Sequence, residues 1–366
     1  LLLVLSSCHT GKQITASGLQ RKDFQTEVNG QHTDLFTLSN KQGMEVCITN
    51  YGARVVSILV PDRNGKREDV VCGFSTITEY MEQRQNFGST VGRYIGRILN
   101  ARFTLDGVEY KLVPNNGKSG HISHGGNPGF ADRIWKVEQA DTHRVRLSYL
   151  SPDGENGFPG NLKVTLVYSL GEDDNALDLT YEATTDAPTV LNLSHHSFFN
   201  ISGNFTKSVE DQQLWVDADR FTPYDDKKCV TGEYLPVAGT PLDFRMPHTI
   251  GECIDADHPQ LKVVNGYDHT WELNTKGDDT RPAAWVYDPA SGRKMEIFTT
   301  EPGMQIYTGN GLKGKMTGKG GIAYPFRSAV CFETMHFQDS PNQPGFPSTV
   351  LRPGEVFRSH TVYKFE

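Results

Sequence analysis

The feature that most constrains this chain is a series of short runs in which apolar and polar residues alternate. "KVTLVYSL" puts Val164, Leu166, Tyr168 and Leu170 on one face, and "NALDLTYEA" puts Leu177, Leu179 and Tyr181 opposite Asp178, Thr180 and Glu182. A period of two is that of an extended strand with one buried face. "FTLDGVEYKLV" alternates in the same way, and its Asp106-Gly107 pair sits where a tight hairpin turn is expected. Further strand-like runs fall at 54–60, 144–150, 283–287, 295–299 and 356–365, separated by Gly, Pro, Asn and Asp. Helical periodicity is nearly absent; only residues 75–83 suit a short helix, capped by a serine or threonine. Strands that do not alternate with helices exclude a parallel α/β sheet. The pattern predicts an all-β fold, a large antiparallel sandwich or barrel. No repeat or low-complexity linker interrupts residues 24–366, so one large β domain is expected there, behind a short N-terminal segment, residues 1–23.

That segment begins "LLLVLSSCHTGK", five apolar residues followed by two serines and Cys8. Five are too few to span a bilayer but suit the remnant of a signal-peptide core. Leu5 to Cys8 resembles a bacterial lipobox, in which the cysteine is lipidated. The expectation is an exported protein, periplasmic or anchored to a membrane through a lipid on Cys8, with residues 10–23 as a polar tether. The other cysteines, Cys47, Cys72, Cys229, Cys253 and Cys331, are scattered and form no C-x-x-C pair, which excludes a zinc ribbon or a dense disulfide framework. A net charge of −8 argues against a nucleic-acid partner and against docking on an anionic membrane surface. It also disfavours a sugar phosphate as substrate.

Several segments carry more chemistry than strands and turns require. "VLNLSHHSFFNISG" places His195 and His196 side by side; on a strand they face opposite ways, so only one can serve a given pocket. "GRYIGRI" holds Arg93 and Arg97, "HISHGG" holds His121 and His124, and "GYDHTWEL" opens on Asp268. "EPGMQIYTGN" holds Gln305, and "CFETMHF" sets Glu333 among apolar neighbours. Each has a bland explanation: a turn glycine, a surface arginine, a solvated glutamate. Together they offer acids, bases and amides close to Phe198, Trp271, Tyr307 and Phe337. Polar groups over aromatic walls suit a neutral, hydroxyl-rich ligand such as a sugar.

The segments "NYGARVVSILVPDRNGK", "VGRYIGRI", "HGGNPGF", "NLSHHSFFN", "GYDHTWEL", "EPGMQIYTGN" and "FETMHFQDSPNQPGFPSTVLRPGE", in this order, resemble those of the aldose 1-epimerase (galactose mutarotase) family. The resemblance implies a single large β-sandwich with the sugar in a groove across one sheet. It implies His196 as general acid and Glu333 as general base, with His195 supporting or structural. Arg97, His124, Asp268 and Gln305 are the implied sugar ligands, with Phe198 at the sugar where tyrosine is common. Three departures bear on substrate preference: Gly96 stands where asparagine is common, Phe198 lacks the tyrosine hydroxyl, and the aspartate after Gly-Phe is displaced to Asp132. His121 is read as structural.

Mutarotation removes the anomeric hydroxyl proton, protonates the ring oxygen O5, opens the ring and recloses it on the other face. A Glu333 carboxylate and a His196 imidazolium match these demands, provided burial does not depress the imidazole. No metal or organic cofactor is required. A small sugar is the expected partner, and the chain a monomer or weak dimer. The alternatives are a non-catalytic carbohydrate-binding protein on the same fold, a glycoside hydrolase using Glu333 and Asp268 as paired carboxylates, and a sugar-phosphate epimerase.

Overall fold

A computed structural model describes residues 13–366, so the apolar leader and Cys8 lie outside the described residues. Most of the alternating runs form three antiparallel sheets of four or more strands, while Arg102–Leu105 and Val108–Lys111 pair as a separate two-stranded hairpin. The largest has nine strands and is built around the long neighbours Arg144–Ser151, Leu162–Leu170, Ala176–Thr185 and Phe357–Phe365. A four-stranded sheet, Leu35–Ser39 to Arg67–Asp69, and a six-stranded sheet, Phe198–Phe199 with Val330–Met335, Gly303–Tyr307, Asp268–Glu272, Arg220–Thr222 and Leu235–Pro236, share one apolar core with it. Val164, Leu166, Tyr168 and Leu170 all point into that core, as their spacing predicts.

Local signals hold as well. Asp106 and Gly107 both have positive φ, 51° and 81°, and join Leu105 to Val108 as a two-residue hairpin turn. The helix Ile77–Gln83 starts with a capping box: the Thr76 hydroxyl accepts from the Glu79 amide, and the Glu79 carboxylate accepts from the Thr76 amide. Two further short helices, Ile250–Cys253 and Pro259–Val264, escaped the periodicity because neither is long enough to show one.

The part of the expected tether that the structure describes, residues 13–23, lies packed on the domain. Leu19 is buried, and the Glu45 carboxylate accepts from the amides of Ala16 and Ser17. A polar composition concealed this because the anchoring uses backbone groups.

On the outer face of the nine-stranded sheet, His360 lies between two carboxylates, Nε2 2.7 Å from Asp178 and Nδ1 2.6 Å from Asp279. They raise its pKa to about 9. The imidazolium is therefore favoured in the folded state: its stabilisation is complete below the ordinary value of 6.5, declines as pH rises, and is lost through 9. With the side chain 30% exposed, solvent screening leaves about 1–2 kcal/mol. The Tm gap between the wild type and His360→Asn is expected to shrink between pH 6 and pH 9.5. An unchanged gap would assign His360 a packing role only.

Candidate active site

The six-stranded sheet builds the site through its pleat. In Gly303–Tyr307 and Val330–Met335, Met304, Ile306 and Phe332 turn into the core, so Gln305, Tyr307, Cys331 and Glu333 share the opposite face. The register lines up Thr270, Gln305 and Glu333 as one row across three strands, and Asp268, Tyr307, Cys331 and Phe198 as the next. A cavity of about 260 Å³ opens above these rows, bounded by Arg97, His124, His196 and Gln338.

The adjacent histidines divide as the strand geometry requires. His195 points into the core, its Nε2 2.7 Å from the Ser197 hydroxyl and its ring against Tyr168 and Tyr363. Burial lowers its pKa to about 3, so it stays neutral. His196 faces the cavity, its Nε2 3.5 Å from Glu333 Oε1. Phe198 stacks on the His196 ring, with centroids 5.1 Å apart and planes at 19°, which fixes the imidazole without adding a polar group.

His124 closes the cavity from the HGG turn. Gly125 has φ +77°, and a Cβ there would stand 2.0 Å from the Gly92 carbonyl oxygen, so the turn admits only glycine. His124 Nδ1 accepts from the Gly96 amide, which places the ring proton on Nε2. Burial, reinforced by the Arg97 charge, lowers its pKa to about 4. A neutral His124 can thus donate to a hydroxyl without bringing charge. Arg97 reaches the Lys228 carbonyl. Arg93 is not at the surface: it is 2% exposed and donates to the carbonyls of Pro159 and Gly160, which makes it structural. His121 accepts from the Asn100 amide and contacts Cys229, outside the cavity lining. Asp132 caps a short turn through the Gly129 amide.

Gln305 is held at both ends. Its Nε2 donates to Asp268 at 2.6 Å and its Oε1 accepts from the Thr270 hydroxyl. Burial raises the Asp268 pKa, opposed by Arg97 and by the Gln305 bond. Two residues escaped the sequence reading. Tyr224 and Gln338 join this network, with Gln338 Nε2 2.7 Å from the Tyr224 hydroxyl. Both lie in irregular segments where no periodicity marks a side chain's direction.

Burial dominates the His196–Glu333 pair. It pushes His196 well below its ordinary 6.5 and Glu333 well above its ordinary 4.5. The expectation that burial would spare the imidazole is thus corrected: desolvation disfavours a charge on either partner. Among the described residues, His196, Glu333 and Cys331 are also the one set with donor atoms mutually within 4.8 Å. Burial drives the Cys331 thiol far above its ordinary value. His196 and Glu333 stand close enough to share a proton beside that thiol.

Neutral donors and acceptors over Phe198 and Tyr307, with an acid–base pair at one end, form a pocket for an uncharged polyol. A family model described as aldose 1-epimerase matches residues 34–364. The chain is 39% identical over 330 residues to galactose mutarotase from Sus scrofa, covering 90% of this chain and 93% of that protein. It is 36% identical over 339 residues to aldose 1-epimerase from Escherichia coli (strain K12), covering 92% and 96%. The crystal structure of an aldose epimerase homologue from C. elegans superposes with a TM-score of 0.84 at 31% identity, covering 91% of this chain and 99% of that one. By sequence and by fold, this chain belongs to the aldose 1-epimerase family.

Proposed function

We propose that the protein is an isomerase that interconverts the α and β anomers of free aldohexoses, glucose and galactose among them. The observation that carries this reading is the separation of 3.5 Å between His196 Nε2 and Glu333 Oε1 at the cavity wall. Ring opening takes a proton from O1 and delivers one to O5, two oxygens bonded to the same carbon. An acid and a base this close reach both. Neutral His124, Arg97 and the Asp268–Gln305 pair hold the remaining hydroxyls, and reclosure reverses the roles of the pair. Two positioned proton-transfer groups contribute roughly 10²–10⁴-fold each. Polarimetry on freshly dissolved α-glucose and α-galactose tests the reading: accelerated relaxation to the anomeric equilibrium supports it. A folded protein that binds either sugar without acceleration would instead be a carbohydrate-binding protein.

The leader supports a further reading, an exported lipoprotein carried on Cys8, which functions as a monomer or weak dimer. Palmitate labelling of the full precursor, abolished by Cys8→Ala, is the expected result; an unlabelled wild type refutes it.

A further inference from the structure

Gln338 lies beyond the end of Val330–Met335, 5% exposed, with its side chain at the cavity wall. The network fixes which way its amide points. Gln305 presents Nε2 to Asp268 and keeps Oε1 for the Thr270 hydroxyl. Gln305 Oε1 is then turned toward Thr270 and toward Gln338, whose nearest atom must be a donor; its Nε2 stands 3.3 Å away. The same Nε2 lies 2.7 Å from the Tyr224 hydroxyl. Both amide hydrogens are thereby committed, and Gln338 Oε1 is the free acceptor, with no hydrogen bond to any of the described residues.

Gly96 explains how the side chain fits. It has φ +75°, and a Cβ built on it would stand 2.6 Å from Gln338 Cγ and 3.2 Å from Cδ. A side chain at 96 and Gln338 in this conformation therefore exclude each other. Position 96 is also where the chain departs from the asparagine common in the family.

We propose that Gln338 contacts the substrate and sets sugar preference, its Oε1 accepting a hydrogen bond from one ring hydroxyl in the space that Gly96 leaves open. The substrate class rests on the mutarotase reading above; the contact itself does not.

The test compares wild type, Gln338→Ala, Gly96→Asn and the double variant on glucose, galactose and the 2-, 3-, 4- and 6-deoxy sugars. Gln338→Ala is expected to raise KM about 3–10-fold, the range of one hydrogen bond, with kcat within about twofold. One deoxy sugar should lose the same factor with wild type and lose nothing more on Gln338→Ala. Gly96→Asn alone should cost at least about tenfold in kcat/KM through overpacking. In the Gln338→Ala background the same asparagine, a residue that tolerates positive φ, should recover most of that loss. An unchanged KM and glucose-to-galactose ratio in Gln338→Ala, or an equal loss on every deoxy sugar, overturns the proposal. Should wild type fail to accelerate mutarotation, the function is wrong but the contact is still tested, by sugar Kd measured calorimetrically across the same variants and sugars.

Discussion

Replacing Glu333 by Gln is expected to lower kcat for mutarotation by roughly 10³-fold, with the protein folded and KM changed little. Glutamine keeps the shape of the buried acid and its place in the row with Thr270 and Gln305. It neither takes nor gives a proton. Burial drives Glu333 toward its neutral form, so an uncharged amide of the same shape suits these surroundings and costs little stability. His196→Ala should lose a comparable factor and also the stacking on Phe198. The double variant should be little worse than either single one, because a pair that shares a proton acts as a unit. Polarimetry with each variant, alongside circular dichroism, checks this. Activity within tenfold of wild type in folded Glu333→Gln would remove Glu333 from the proton-transfer role.

The sequence disclosed strands better than it disclosed neighbours. Alternation located the long strands to within a residue or so, as with Lys294–Thr299 against an expected 295–299. A buried face imposes that period on every position. It also settled the histidine pair, since a strand must send His195 and His196 to opposite faces. What it could not show was register. Thr270 meets Gln305 only because two strands distant in sequence pair in one particular phase. Tyr224 and Gln338 lie in loops whose side-chain directions depend on the assembled sheet, and Arg93 reads as a surface charge until the carbonyls around it are in place. Protonation was the least legible property. The sequence set a carboxylate beside an imidazole, which favours charge; the fold buries both, which opposes it.

That opposition predicts the pH profile. Were Glu333 and His196 independent, with ordinary values of 4.5 and 6.5, carboxylate and imidazolium would coexist only between those limits. The rate would then fall about thirtyfold by pH 8. In the structure both shifts penalise charge. Adding a proton to the one-proton pair leaves a buried imidazolium beside a neutral acid; that step moves below 6.5 because burial lowers His196. Removing the proton leaves a buried carboxylate beside a neutral imidazole; that step moves above 4.5 because burial raises Glu333. Between the two steps the pair holds one proton, and its apparent values belong to the pair rather than to either residue. The expected kcat/KM, with uncatalysed mutarotation subtracted, is level between an acid step displaced below 6.5 and a basic step displaced above 4.5. It falls about tenfold per pH unit only beyond the outer steps. In Glu333→Gln the residual rate should follow His196 alone, with its single step below 6.5. A wild-type profile with its limbs at the ordinary 4.5 and 6.5 would show two separate, unperturbed groups, and the shared proton would have to be abandoned.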